Sequence, residues 1–143
     1  MEDKKVIKPA AKKAGMHVRS KKKTAVARAV IKKGSGKVKI NKMGLDCYAQ
    51  GHVLSMIKEP LMIASEVIPE YDILVNVTGS GAMSRANAVR SVIAKALVKA
   101  KGKKYKDLFL QYDRTLLVDD VRKVESKKPL GRKARGKKQQ SKR

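Results

Sequence analysis

Two glycine clusters are the places where this chain could hold a phosphate. In the first, Lys32-Lys33-Gly34-Ser35-Gly36-Lys37-Val38-Lys39, a Gly-Lys pair stands where a nucleotide loop would have one. Val38 replaces the Ser or Thr that would bind magnesium, and Ile31 replaces the leading glycine, so the cluster reads as a chain reversal. The second cluster, Thr78-Gly79-Ser80-Gly81-Ala82-Met83, follows an alternating apolar segment and precedes a helical pattern, where free amides could receive an anion. It lacks the third glycine and the downstream acid of a dinucleotide fingerprint. Two readings stay open there, a tight strand-to-helix turn and an amide seat for a phosphate.

Other reactive residues are sparse. Asp119-Asp120 is an adjacent carboxylate pair, but neighbours on an extended chain point apart and no histidine is near, which argues against metal or catalytic work. His17, His52 and Cys47 show no recurrent zinc-ligand spacing. The sequence therefore predicts no catalytic residue, no metal and no cofactor. One cysteine allows no disulfide within the chain, which suits a cytoplasmic protein.

Charge is the stronger signal. The chain has 36 Lys and Arg against 12 Asp and Glu in 143 residues, a net +24 that implies a polyanionic partner. Residues 1–33 hold 12 basic and 2 acidic side chains, residues 122–143 hold 11 and 1, and the middle holds 13 and 9. The charge is thus concentrated in two arms around an ordinary domain: a basic N-terminal arm at 1–17, a globular domain at 18–121 and an extended basic tail at 122–143. Neither arm has the apolar stripe of a membrane-surface helix, no segment has the length of a membrane span, and the N-terminus lacks the apolar core of a signal peptide. With no Trp and a single Phe, base stacking on a strand surface is disfavoured, and phosphate and shape contacts are favoured.

The elements that must position these charges follow from periodicity. Residues 24–33 alternate Ala25, Ala27, Ala29 and Ile31 with Val26, Arg28, Val30 and Lys32, a strand. Gly34-Ser35-Gly36 followed by alternating KVKIN predicts that this strand forms a β-hairpin with the next. Across 43–68 the apolar spacing is helical, but Pro60 lacks an amide hydrogen, so the stretch is expected to split into short helices, the last starting near Pro60. Residues 71–78 read as a strand, with Ile73, Val75 and Val77 on one face and Leu74 an apolar intruder on the other, suggesting a more buried strand. Met83, Ala86, Val89, Val92, Ile93, Ala96, Leu97 and Ala100 form the stripe of a five-turn helix that Gly102 should stop. A short helix over 104–112 and an edge strand or anchor at Leu116-Leu117-Val118 complete a two-layer α+β domain. The tail beyond cannot bury enough apolar surface to order alone.

Several segments in order resemble the ninth protein of the small ribosomal subunit, especially its archaeal and eukaryotic form. They are SKKKTAVARAVIKKGSGKVKIN, KEPLMIASEV, DILVNVTGSG, ANAVRSVIAKALV, QYDRTLLVDDVRKVESKKP and QQSKR, covering residues 17–143. One departure stands out: Ser80 interrupts the family's glycine run, and Ser84-Arg85 replace its Gly-Gln, which could exchange a close glycine contact for a phosphate contact by Arg85. The resemblance implies a small mixed sheet with helices on one face and a left-handed βαβ crossover, as in domain 2 of ribosomal protein S5. It also implies binding to small-subunit ribosomal RNA in the head, beside neighbouring head proteins, with no small-molecule substrate and no membrane.

In that setting the core is expected to dock on RNA through Arg28, Lys37, Lys39, Arg85 and Arg90. Arg19, Lys21, Lys22, Lys23 and Arg114 would extend that surface. Along the tail, Arg122, Lys127, Lys128, Arg132, Lys133 and Arg135 would neutralise phosphates in crevices too narrow for a domain. By motif the resemblance assigns Ser141, Lys142 and Arg143 to the anticodon stem-loop of peptidyl-site tRNA. A DNA-packaging protein, or an enzyme of the same fold, are the competing readings.

Overall fold

A computed structural model of the chain describes residues 15–120 and 122–136. Its strands are β1 (Met16–Lys22), β2 (Ala25–Lys33), β3 (Val38–Ile40), β4 (Met43–Gly44) and β5 (Tyr71–Thr78). The α-helices are α1 (Leu45–Tyr48), α2 (Gly51–Ile63), α3 (Ala82–Lys101) and α4 (Lys103–Tyr112), with short 3-10 turns at Ile68–Glu70 and Arg114–Leu116.

Among the described residues the sheet runs in the order β1-β2-β5-β3-β4, which overturns the expected hairpin between β2 and β3. Strand β5 lies between them, antiparallel to β2 and parallel to β3. The Gly34–Lys37 link therefore arches over the start of β5 instead of folding back on itself. Asp72 holds the arch, accepting bonds from the amides of Ser35 and Lys37 at 2.9 Å each, and Gly34 N donates to Glu70 O. The tight hairpin is β1-β2, turning through Lys23 and Thr24 with Lys23 at φ 54. No glycine marks that turn, and a Lys-rich β1 does not look like a strand in sequence.

The core forms where Ala25, Ala27, Ala29 and Ile31 of β2 meet Ile73, Val75 and Val77 of β5 under α3. Small alanines let the helix lie close to β2. The stripe on α3 is buried at Ala86, Val89, Val92, Ile93, Ala96 and Leu97, while Met83 at its entry stays exposed. Ala88 and Ala94 are buried too, because α2 and α4 flank α3 as well as the sheet beneath it. Gly102 ends the helix at φ 85 with its amide bonded to Val98 O.

Helix α2 continues through Pro60, contrary to the expected break. Pro60 lies in the last turn, so one missing amide bond is the main loss, and burial of Ile57, Pro60 and Leu61 together offsets it. In α4, Tyr105 and Phe109 are buried, and Leu116 anchors the chain after it as a 3-10 turn, the anchor alternative of the two foreseen. The helices cover one face of the sheet, giving the expected two-layer α+β form, and β3 to β5 is the parallel crossover within it. No described helix is long and apolar enough to cross a membrane.

Candidate nucleic-acid interface

Period-two alternation leaves the second face of the sheet to solvent. Strand register places Arg19 of β1 directly across from Arg28 of β2, which is across from Asn76 of β5. The adjoining row is His17, Val30, Leu74 and Lys39, and on the other side Lys21, Val26 and Thr78 align. Strand β5 is central in the sheet and buried at Tyr71, Ile73, Val75 and Val77, as a more buried strand should be, but Leu74 is 43 % exposed on this open face.

Two arginines facing each other across an antiparallel pair repel. Among the described residues, no carboxylate forms an ion pair with either one. Asp72 also belongs to this face, opposite Lys32, but its carboxyl is engaged by the Lys37 and Ser35 amides, which hold it below the usual carboxylate range. Among the described residues, the face is thus a cationic surface whose two facing arginines have no carboxylate partner. Lys32 joins it as the alternation of β2 predicts, and His17 and Asn76 join it unforeseen; extending that alternation to the neighbouring strands would have found them, had the neighbours been known.

The turn between β5 and α3 is shaped by Gly79. Its φ is 82, and a Cβ there would run into the Thr24 carbonyl, so the close approach is at Gly79 and not at Ser80, which itself adopts φ 53. Helix α3 starts with no side-chain cap and no acid in its first turn. Arg85 folds back, its Nε donating to Gly79 O at 2.9 Å. The turn reading therefore holds on geometry, and the uncapped amides leave room for an anion as well.

The remaining sequence-assigned cations separate into two groups. Lys23, Lys37, Arg114, Lys127, Lys128, Arg132 and Lys133 are exposed. Others are engaged inside the protein. Arg90 Nη2 lies 2.6 Å from Glu59 Oε2 and 3.0 Å from Asp113 Oδ2, with only 13 % of its side chain exposed. It ties α2, α3 and the chain after α4 together. Arg135 pairs with Glu125, and Lys22 and Arg122 share Asp120.

The acid pair that sequence left without a role sits where the tail leaves the domain. Asp119 Oδ1 accepts from Ser20 Oγ at 2.7 Å, Lys21 N at 3.1 Å and Lys95 Nζ at 2.6 Å. Asp120 Oδ2 takes Lys22 Nζ and Arg122 Nη2 at 2.9 Å each, and Asp120 N donates to Lys21 O. These cationic and amide donors hold both carboxyls below their ordinary range. No group of His, Cys, Asp and Glu suited to a metal ion occurs among the described residues. Ser141, Lys142 and Arg143 lie outside the described residues, as does most of the N-terminal arm.

A family model described as ribosomal protein S9/S16 matches residues 20–143. The chain is 48 % identical over 122 residues to the small ribosomal subunit protein uS9 of Thermoplasma acidophilum, an alignment covering 85 % of this chain and 95 % of that protein. It is 41 % identical over 115 residues to uS9 of Methanococcus maripaludis, covering 80 % and 86 %. Similarity of this extent means that the chain belongs to the ribosomal protein S9 family, whose members are structural proteins of the ribosome and not enzymes.

Proposed function

We propose that this chain is a constituent of the head of the small ribosomal subunit in the cytoplasm, where its core and arms bind ribosomal RNA. Its tail reaches the peptidyl site. The observation that carries the RNA reading is the Arg19–Arg28–Asn76 row on the open sheet face, two facing arginines with no acid to balance them among the described residues. Lys21 and Lys39 lie in register beside that row, and the exposed cations Lys37, Arg85 and Arg114 add to the core's charge. Phosphates on this face would remove the repulsion between the arginines and release counterions. Arg90 is committed to the fold. Lys127, Lys128, Arg132 and Lys133 extend the phosphate contacts along the tail, and Ser141, Lys142 and Arg143 end it at the tRNA anticodon stem-loop. Neighbouring head proteins complete the setting.

Binding to head RNA and to duplex DNA of equal length, measured across a salt series, tests the core reading. The expected result is tighter RNA binding that weakens steeply with salt; equal affinity for DNA would favour nucleic-acid packaging instead. Deleting residues 139–143 should leave RNA docking of the core intact and weaken peptidyl-site tRNA. Unchanged tRNA affinity at every salt concentration would refute the tail assignment.

A further inference from the structure

We propose that Asp119 and Asp120 are positioning residues that set the place and direction in which the basic tail leaves the domain. The proposal rests on the role given above to the tail, since a probe of fixed length delivers its end to a distant site only if its root is aimed.

The argument begins with charge. The tail starts beside β1, where Arg19, Lys21, Lys22 and Lys23 crowd one strand and its turn, and the tail itself adds Arg122 and Lys123. Like charge should drive these segments apart. In a chain with 12 acids, two occur consecutively at this junction. Being neighbours on an extended stretch, they point to different partners. Asp119 reaches sideways to Ser20 and the Lys21 amide of β1 and to Lys95 of α3, fastening the root to both layers of the fold. Asp120 holds Lys22 behind it and Arg122 ahead of it, so that the first cation of the tail is bound to the same carboxylate as a cation of β1.

The backbone agrees with the side chains. Asp120 N donates to Lys21 O at 3.2 Å, so the root lies along the outer edge of β1. Lys99 Nζ donates to His17 O further along the strand, so the two occupy the polar edge that would otherwise invite another strand. Ser20 is 1 % exposed, and its hydroxyl is satisfied by Asp119, so the contact is built into the domain and is no chance surface pairing. Upstream, Leu116 is fully buried. Between that anchor and the aspartates the chain is held at both ends; without the two carboxylates, the backbone bond from Asp120 N to Lys21 O would have to hold the root unaided by them.

The test measures aim directly. A spin label on the exposed Cys47 and a second on Val124→Cys, a position 99 % exposed, report the distance from the domain to the first turn of the tail in the full chain. The native acids should give a narrow distribution. Asp119→Asn with Asp120→Asn should broaden it toward about 15 Å, the spread of a free tether of about seven residues. Circular dichroism and melting of the same variant check that the fold persists. Should the double variant fail to fold, Lys95→Gln with Asp120→Asn removes the ion pairs to α3, Lys22 and Arg122, leaves Asp119 on Ser20 and the Lys21 amide, and should still broaden the distribution, though less. A distribution as narrow as the native one in a folded variant overturns the proposal. Small subunits rebuilt with the variant separate the two claims. Core RNA protections should be retained while peptidyl-site tRNA binding falls as it does on removal of residues 139–143. A broadened distribution with unchanged tRNA affinity would keep the clamp and overturn its link to the tRNA contact.

Discussion

Replacing Arg19 and Arg28 together by glutamine should stabilise the free protein and weaken its RNA complex, two effects of opposite sign from one pair of side chains. The arginines sit across an antiparallel pair with no acid in reach among the described residues. With their charged ends splayed to a separation of about 7 Å, two unit charges repel by about 0.6 kcal/mol at the dielectric of water, rising to about 2.4 kcal/mol at an effective value of 20. The side chains are exposed, can splay apart and are screened within about 10 Å at 0.1 M salt, so about 0.5 kcal/mol is the net gain, within the range for like-charged cross-strand pairs. For a domain of this size that raises Tm by about 2 to 4 °C. On RNA the same substitution removes two phosphate contacts. The slope of log K against log salt should become less steep by about 1.4 to 1.8, with a loss of affinity on the order of 10- to 100-fold at 0.1 M salt. Calorimetric melting and filter binding over 50 to 300 mM salt, across which the Debye length falls from about 14 to about 6 Å, read both quantities. A lower Tm would refute the claim that the row is self-repelling, and an unchanged salt slope would refute the claim that it faces phosphate.

Three other perturbations address the framework. Arg90→Met strands Glu59 and Asp113 side by side, and since each is about 30 % exposed the cost should be about 1 to 3 kcal/mol, below that of a fully buried pair, as read by urea unfolding. Gly79→Ala should cost at least about 1 kcal/mol, because φ 82 disfavours a Cβ and that Cβ meets the Thr24 carbonyl, whereas Gly81→Ala, which meets nothing, should be nearly neutral. Asp72→Asn tests pH dependence. The Asp72 carboxyl is depressed by the Lys37 and Ser35 amides, so its stabilisation is fully present above the unfolded value of about 4 and is lost as pH falls through the folded value. The variant should therefore show a shallower fall of Tm below about pH 4; an identical fall would remove Asp72 as the pin of the β2 to β3 arch.

What could be read from the chain alone was whatever depends on local order. The concentration of cations toward the two ends is a property of the sequence itself; the alternation in β2, the stripe of α3 and its stop at Gly102 are properties of neighbouring residues, and each of these three appears in the structure. Alternation even gives the two faces of β2 correctly, alanines inward and Arg28 outward. The Arg19–Arg28–Asn76 row was not legible, because a period of two says which side a residue faces and nothing about which strand lies beside it. Placing β5 between β2 and β3 is a matter of pairing over some forty residues, and it alone brings Asn76 and Leu74 next to Arg28 and Val30. Pro60 stayed within its helix because burial compensated a local loss, and Arg90 turned inward because Glu59 and Asp113 arrive from other elements. Asp119 and Asp120 were visible as a pair, but a carboxylate acquires a purpose only from its donors, and Ser20, Lys21, Lys22 and Lys95 reach them from more than twenty residues away through the packing of β1 and α3.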